Sequence, residues 1–302
     1  MLRFVTCAAL VFAGATASVR AQEQPLPEGD EAFWEFLDYS AKQRSTKTLW
    51  VEGSHESTDG QDYYAEFDLA LASGYWFMIG AGKSRIPLDE GSFEPDRYFV
   101  GGSTRRFGAT RLDFSYLYWG ESRQLVTQTL SVAADWWGKN WSVRGGPQFR
   151  AIDLFTRPRD DGSQRELNVS SRALEAWVGF HGLRNWEFIV GGARYRYSRD
   201  LTPLSRPIVS RAFSAQALTL AYSFLDRWGS VEAAYRIGST RLSLKGIRTR
   251  SAIDFTDTSV ATFTVGWFGH REFFVSGEAG RVAPEFGELS TYATLRLGYS
   301  WQ

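Results

Sequence analysis

Few residues of the 302-residue sequence are spaced for chemistry. Gly80-Ala81-Gly82-Lys83-Ser84 ends like a phosphate-cradling loop, in which backbone N–H groups and a lysine hold a nucleotide. That loop needs a glycine five residues before Gly82, and Phe77 stands there. His55, His181 and His270 are scattered, with no HExxH spacing, so no metal ligand set and no cofactor are assigned. Ser54-His55 is adjacent, but neighbours on a strand point to opposite faces, which defeats the hydrogen bond that activates a serine. No catalytic residue is therefore assigned.

What remains is charge repeated at every second position. The set is Glu66, Asp68, Arg111, Asp113, Asp135, Arg144, Arg150, Glu175, Arg194, Arg196, Glu232, Arg236, Glu272, Glu278 and Arg296, with Gln148 among them. On one face of a sheet such charges do one of two things. They line a wet path and filter small polar solutes, or they lock together as arginine–carboxylate networks, which the planar guanidinium fork suits. Both readings stand at this level.

The composition narrows the frame. Lys+Arg and Asp+Glu are both 34, which argues against an electrostatic nucleic-acid binder. Arg outnumbers Lys 29 to 5, and aromatics reach 16% with 12 Trp. The mean hydropathy of −0.29 excludes a polytopic helical membrane protein. Met1-Leu2-Arg3, the apolar run from Phe4 to Ala17 and Val19-Arg20-Ala21 read as a secretory signal peptide, residues 1–21, cleaved after Ala21. Cys7, the only cysteine, lies inside it, so the mature chain has no disulfide and no thiolate site.

From about residue 46 onward the sequence alternates with period two, as in Tyr63-Tyr64-Ala65-Glu66-Phe67-Asp68-Leu69 and Ala293-Thr294-Leu295-Arg296-Leu297-Gly298-Tyr299. Strands are predicted near 47–56, 62–72, 75–85, 97–105, 108–119, 123–136, 141–154, 167–181, 186–199, 210–224, 228–244, 256–268, 271–281 and 289–301. Most exceed the usual soluble length and reach the ~9–11 residues of a tilted membrane strand. Their connections alternate. Tight ones fall at 72–74, 105–107, 137–140, 182–185, 225–227 and 269–270; longer polar ones fall at 57–61, 86–96, 155–166, 200–209, 245–255 and 282–288. Only 120–122 departs from this. The longest loop expected is about a dozen residues, so no long constriction loop is expected.

Aromatics sit beside the turns. Trp136, Trp141, Phe180, Trp186, Phe224, Trp228, Trp267 and Trp301 are assigned to one rim, with Trp76 and Trp137 near them, and Tyr116, Tyr118, Tyr195 and Tyr197 to the other. Between the rims, Leu130/Val132/Ala134, Leu174/Ala176/Val178, Leu218/Leu220/Tyr222 and Phe263/Val265 form apolar rows suited to lipid. The chain resembles Gram-negative outer-membrane β-barrels, and by size and strand count the fourteen-stranded monomeric, porin-like ones. The local motif is the last strand, where Leu297, Tyr299 and Trp301 match the terminal aromatic pattern of such barrels, with Gln302 one residue beyond.

The resemblance implies an all-β, transmembrane, antiparallel up-and-down barrel of about 14 strands over 46–302, in the outer membrane of a Gram-negative bacterium. It implies outer-membrane lipid as surroundings and the barrel assembly machinery as a partner, reached through Tyr299-Ser300-Trp301. The expected function is a channel or conduit for small polar solutes or an exported polymer. The alternatives are a closed structural, adhesive or partner-binding barrel, or a membrane-embedded lipid hydrolase. Residues 22–45 are expected as a periplasmic segment, with a short amphipathic helix near 30–39 as a partial plug or as contact to a periplasmic partner.

Overall fold

A computed structural model describes residues 46–87, 92–158, 161–206, 223–268, 273–287 and 289–301. The expected signal peptide and the 22–45 segment lie outside these residues, as do Glu272 and the row Leu218/Leu220/Tyr222. The described chain forms β1 (Thr46–Glu56), β2 (Gln61–Ala70), β3 (Trp76–Pro87), the two-residue β4 (Ser92–Phe93), β5 (Asp96–Ser103), β6 (Thr110–Glu121), β7 (Leu125–Trp137), β8 (Trp141–Phe155), β9 (Glu166–Leu183), β10 (Trp186–Tyr197), β11 (Leu225–Ile237), β12 (Thr240–Ser251), β13 (Asp257–Phe268), β14 (Phe273–Pro284) and β15 (Ser290–Trp301). Leaving out β4, which only pairs with the end of β3, the other fourteen form a ring of antiparallel neighbours. The ring closes where β1 pairs with β15, from Lys47↔Trp301 to Glu56↔Tyr292. The fold is a closed antiparallel fourteen-strand barrel, and closure removes every free sheet edge from the wall.

Alternation within the strands separates two faces. In β9, Val169, Ser171, Ala173, Glu175 and Trp177 are buried inside while Leu174, Ala176 and Val178 are exposed outside. Leu174 is 71% exposed and Val231 59%, values that only an apolar surrounding makes tolerable for so continuous an outer surface. The row Leu130/Val132/Ala134 and the pair Phe263/Val265 lie on this same outer face.

Two features differ from the sequence expectation. Residues 228–244, read as one strand, are the hairpin β11–β12, turning at Gly238-Ser239. Gly238 has φ +60, the left-handed region a two-residue hairpin turn requires and glycine supplies without strain. Conversely, β10 pairs directly with β11, from Trp186↔Tyr235 to Arg194↔Arg227, and residues 210–222 of the strand expected at 210–224 lie outside the described residues. With β11 and β12 as separate strands, the ring of described strands has fourteen members. The tight connection expected at 225–227 is replaced by one at 238–239. Tight connections still lie on one rim and the longer ones, with the short 122–124, on the other.

Candidate functional site

The inner wall carries the chemistry. Glu66, Asp68, Asp113, Asp135, Arg150, Glu175 and Glu232 are buried on it, and Arg111, Arg144, Glu278 and Arg296 half-buried. Cross-strand register places partners opposite one another: Arg111 faces Asp135, and Asp135 faces Arg144. Arg111 Nη2 donates to Asp135 Oδ2 at 3.1 Å, and its Nε lies 3.1 Å from Asp113 Oδ1. Arg144 donates to the other oxygen of Asp113, and Trp137 Nε1 donates to Asp135 Oδ2 at 2.9 Å. On the opposite wall Arg296 faces Glu52, donates to it through Nε at 3.0 Å, and lies over the Trp50 ring at 4.7 Å. Tyr64 donates to Glu66, and Arg97 covers the Tyr64 ring at 4.1 Å. Gln148 donates to Glu175, and Glu278 accepts from Thr264 at 3.4 Å.

Near the tight-turn rim, six consecutive strands, β7 to β12, bring together residues that are far apart in sequence. His181 Nε2 lies 3.0 Å from Ser142 Oγ, and His181 Nδ1 lies 3.4 Å from Glu187 Oε1. Arg241 donates to Glu187 at 2.7 Å and to Glu232 at 3.0 Å. Trp137 stacks on His181 with ring centroids 5.3 Å apart. Gly179, which pairs with Ser142, makes room, since a side chain there would collide with both Ser142 and His181. His181, Glu187, Arg236 and Arg241 line a cavity of about 220 Å3. The sequence reading rejected Ser54-His55 and missed this constellation. Its signal is parity across strands, which needs the register.

Toward the long-loop rim the interior turns apolar. Ile86, Phe99, Leu117, Trp119, Leu125, Ile152, Leu154 and Val169 point in from the strands, and Phe93, Leu201, Leu204, Phe224 and Ile253 come from the connections above them. Leu201 caps the start of a 3-10 turn at Thr202–Ser205, and Leu204 lies within it. Asp200 Oδ1 accepts from the Thr202 backbone N–H at 3.0 Å and its hydroxyl at 2.8 Å, which holds the carboxyl below the ordinary aspartate range. Arg150 ties this layer to the wall: it donates to the Ser223 carbonyl at 3.3 Å and lies 4.8 Å from the Tyr195 ring centre.

Several assignments are corrected. Arg194 and Arg196 point outward and are exposed, while Tyr195 and Tyr197 point inward. Trp186, Phe188 and Val190 set the outer parity of β10, and alternation carries it to Arg194 and Arg196 without a break. Phe224 is fully buried in the apolar layer, and Trp228 packs on Trp177 inside, 5.4 Å between centroids. Neither belongs to a girdle. Trp76 and Trp137 also face in. Trp136, Trp141, Trp186 and Trp267 are exposed on the outer face, Phe180 packs against Trp141, and Trp301 against Tyr299. Tyr116 and Tyr118 lie on the outer face at the other rim, Tyr118 beside Tyr98. Arg236 is exposed at the tight-turn rim.

No protein-family model matches the sequence, and no curated protein does. Solved structures similar to it include the loop L8 deletion mutant of OmpT, an outer membrane protein of Vibrio cholerae (9% identity, 85% of this chain and 98% of that one, TM-score 0.48). The KdgM porin in complex with disordered oligogalacturonate is similar at 7% identity, over 84% and 99%, with TM-score 0.44. OpdK of Pseudomonas aeruginosa, solved with vanillate, is similar at 9% identity, over 86% and 99%, with TM-score 0.43. By its own strand count, closure and two-faced wall, the chain is a closed antiparallel fourteen-strand β-barrel.

Proposed function

We propose that the protein is an outer-membrane channel for small polar solutes, with a charged inner wall and an apolar layer as its constriction. The observation that carries this reading is the stratification of the interior. Ion-paired arginines and carboxylates occupy the tight-turn half, and Leu204, Phe224 and Trp119 gather under the long loops. A charged wall attracts and orders polar solutes, while an apolar ring controls passage by excluding water. Single-channel recording in planar bilayers tests it. Discrete steps are expected, and Leu204→Ser with Phe224→Ala should enlarge them; steps no larger than background in both proteins would end the channel reading in favour of a closed barrel.

A second reading rests on Ser142, His181 and Glu187. Their order of contacts is that of a nucleophile, its base and the carboxylate that orients the base. In this reading the barrel hydrolyses an ester at the tight-turn mouth. A fluorophosphonate probe should then label Ser142, with labelling lost in Ser142→Ala and weakened in His181→Gln. An unlabelled folded barrel would remove this reading.

A further inference from the structure

The outer face holds a feature that a lipid-facing wall should avoid. Arg172, Arg194, Arg196, Arg227 and Arg250 all project outward from four adjacent strands, near their long-loop ends. The register sets like charges directly opposite: Arg196 faces Arg172, Arg194 faces Arg227, and Arg227 faces Arg250. Directly opposed side chains stand about 5 Å apart, and like charges there repel. Little offsets them. Asp257, opposite Arg250, is engaged by Arg248 at 2.6 Å, and Asp226 lies 4.0 Å from Arg227. Arg172, Arg194 and Arg196 have no anionic partner among the described residues. An arginine on a barrel's lipid face is tolerated only near the interface, so the row marks headgroup height.

A cleft of about 880 Å3 adjoins the row on the same outer face. Tyr116, Leu130, Phe149 and Ala151 supply apolar wall, and Arg172 and Arg196 stand with them. Apolar surface at membrane depth beside stacked guanidinium groups fits one molecule carrying both acyl chains and phosphate. We infer that β9–β12 bind a phosphorylated glycolipid of the outer leaflet, with its phosphates on Arg172, Arg194 and Arg196 and an acyl chain in the cleft. The inference rests on the wall being embedded in an outer membrane with the long loops outside; it is independent of whether the interior conducts. Guanidinium forks suit phosphate because they bond it bidentately, and a phosphate between opposed arginines turns their repulsion into shared attraction.

The test is native mass spectrometry of the purified full-length barrel with bis-phosphorylated lipid A, and with the same lipid after phosphate removal. The wild type should retain the phosphorylated lipid and not the dephosphorylated one. At about fivefold per arginine, the triple variant Arg172→Gln/Arg194→Gln/Arg196→Gln should weaken retention about a hundredfold. Arg281→Gln, an outward arginine on β14 away from the row, should leave it unchanged. A heat-dependent gel shift in every variant checks that the barrel is folded, so a failed membrane fold and a failed lipid site read differently. Equal retention of both lipids by the wild type, equal loss in Arg281→Gln, or full displacement by millimolar inorganic phosphate would each overturn the inference, the last by reducing it to a free-anion site.

Discussion

Arg241 shows how one residue organises the inner wall. Its side chain is only 5% exposed, and it holds both Glu187 and Glu232. Removing the cation leaves Glu187, which lines the cavity, and the buried Glu232 with their shared partner gone. Arg241→Met should cost about 3 kcal/mol in urea unfolding of the folded barrel. Adding Glu232→Gln should recover part of that loss, because one uncompensated charge is then absent. No recovery would mean that Arg241 acts through packing instead. The same residue was invisible as a site in the sequence: it follows the turn at Gly238-Ser239, and reading 228–244 as one strand gave it no defined face. Glu232 and Asp135 were legible because their strands alternate without interruption.

At the scale of elements, the wall uses one device four times. Tyr64 lies across Gly80, Trp177 across Gly191, Tyr292 across Gly280 and Phe274 across Gly298, each pair on neighbouring strands and facing in. A side chain on any of these glycines would overlap the ring, so the aromatic fills the space the glycine leaves open. Gly191→Ala should destabilise the barrel by about 1–3 kcal/mol, read from the urea midpoint. The turn that carries Leu201 and Leu204 inward has a different anchor, the Asp200 carboxylate. A carboxyl held below its ordinary value stabilises the turn fully above that value, 3.8, and loses the contribution as pH falls through the lowered one. Conductance should therefore rise in the wild type only at strongly acidic pH, and Asp200→Ala should show the larger steps already at neutral pH. Identical pH profiles in the two proteins would remove Asp200 from the loop's anchoring.

For the whole molecule, closure is the decisive contact. β15 pairs with β14 on one side and β1 on the other, and Arg296–Glu52 spans the seam. A chain ending before Ser290 leaves β1 and β14 as open edges with unpaired backbone groups, which hydrocarbon does not tolerate. Full-length protein should run at different positions on a gel before and after boiling, and the truncated chain should lose that shift. A truncated chain that kept it would show that fourteen strands are not required.

By itself the sequence determined the class of fold, because a two-faced barrel wall writes its alternation into its strands. It also determined that charge of both signs lines one face. Register was left to the tertiary structure, since a strand's partner is chosen by neighbours distant in sequence and each parity depends on where the preceding turn falls. That is why Arg194 and Arg196 moved outside, why Phe224 and Trp228 moved inside, and why Ser142, His181 and Glu187 met only once three strands were laid side by side.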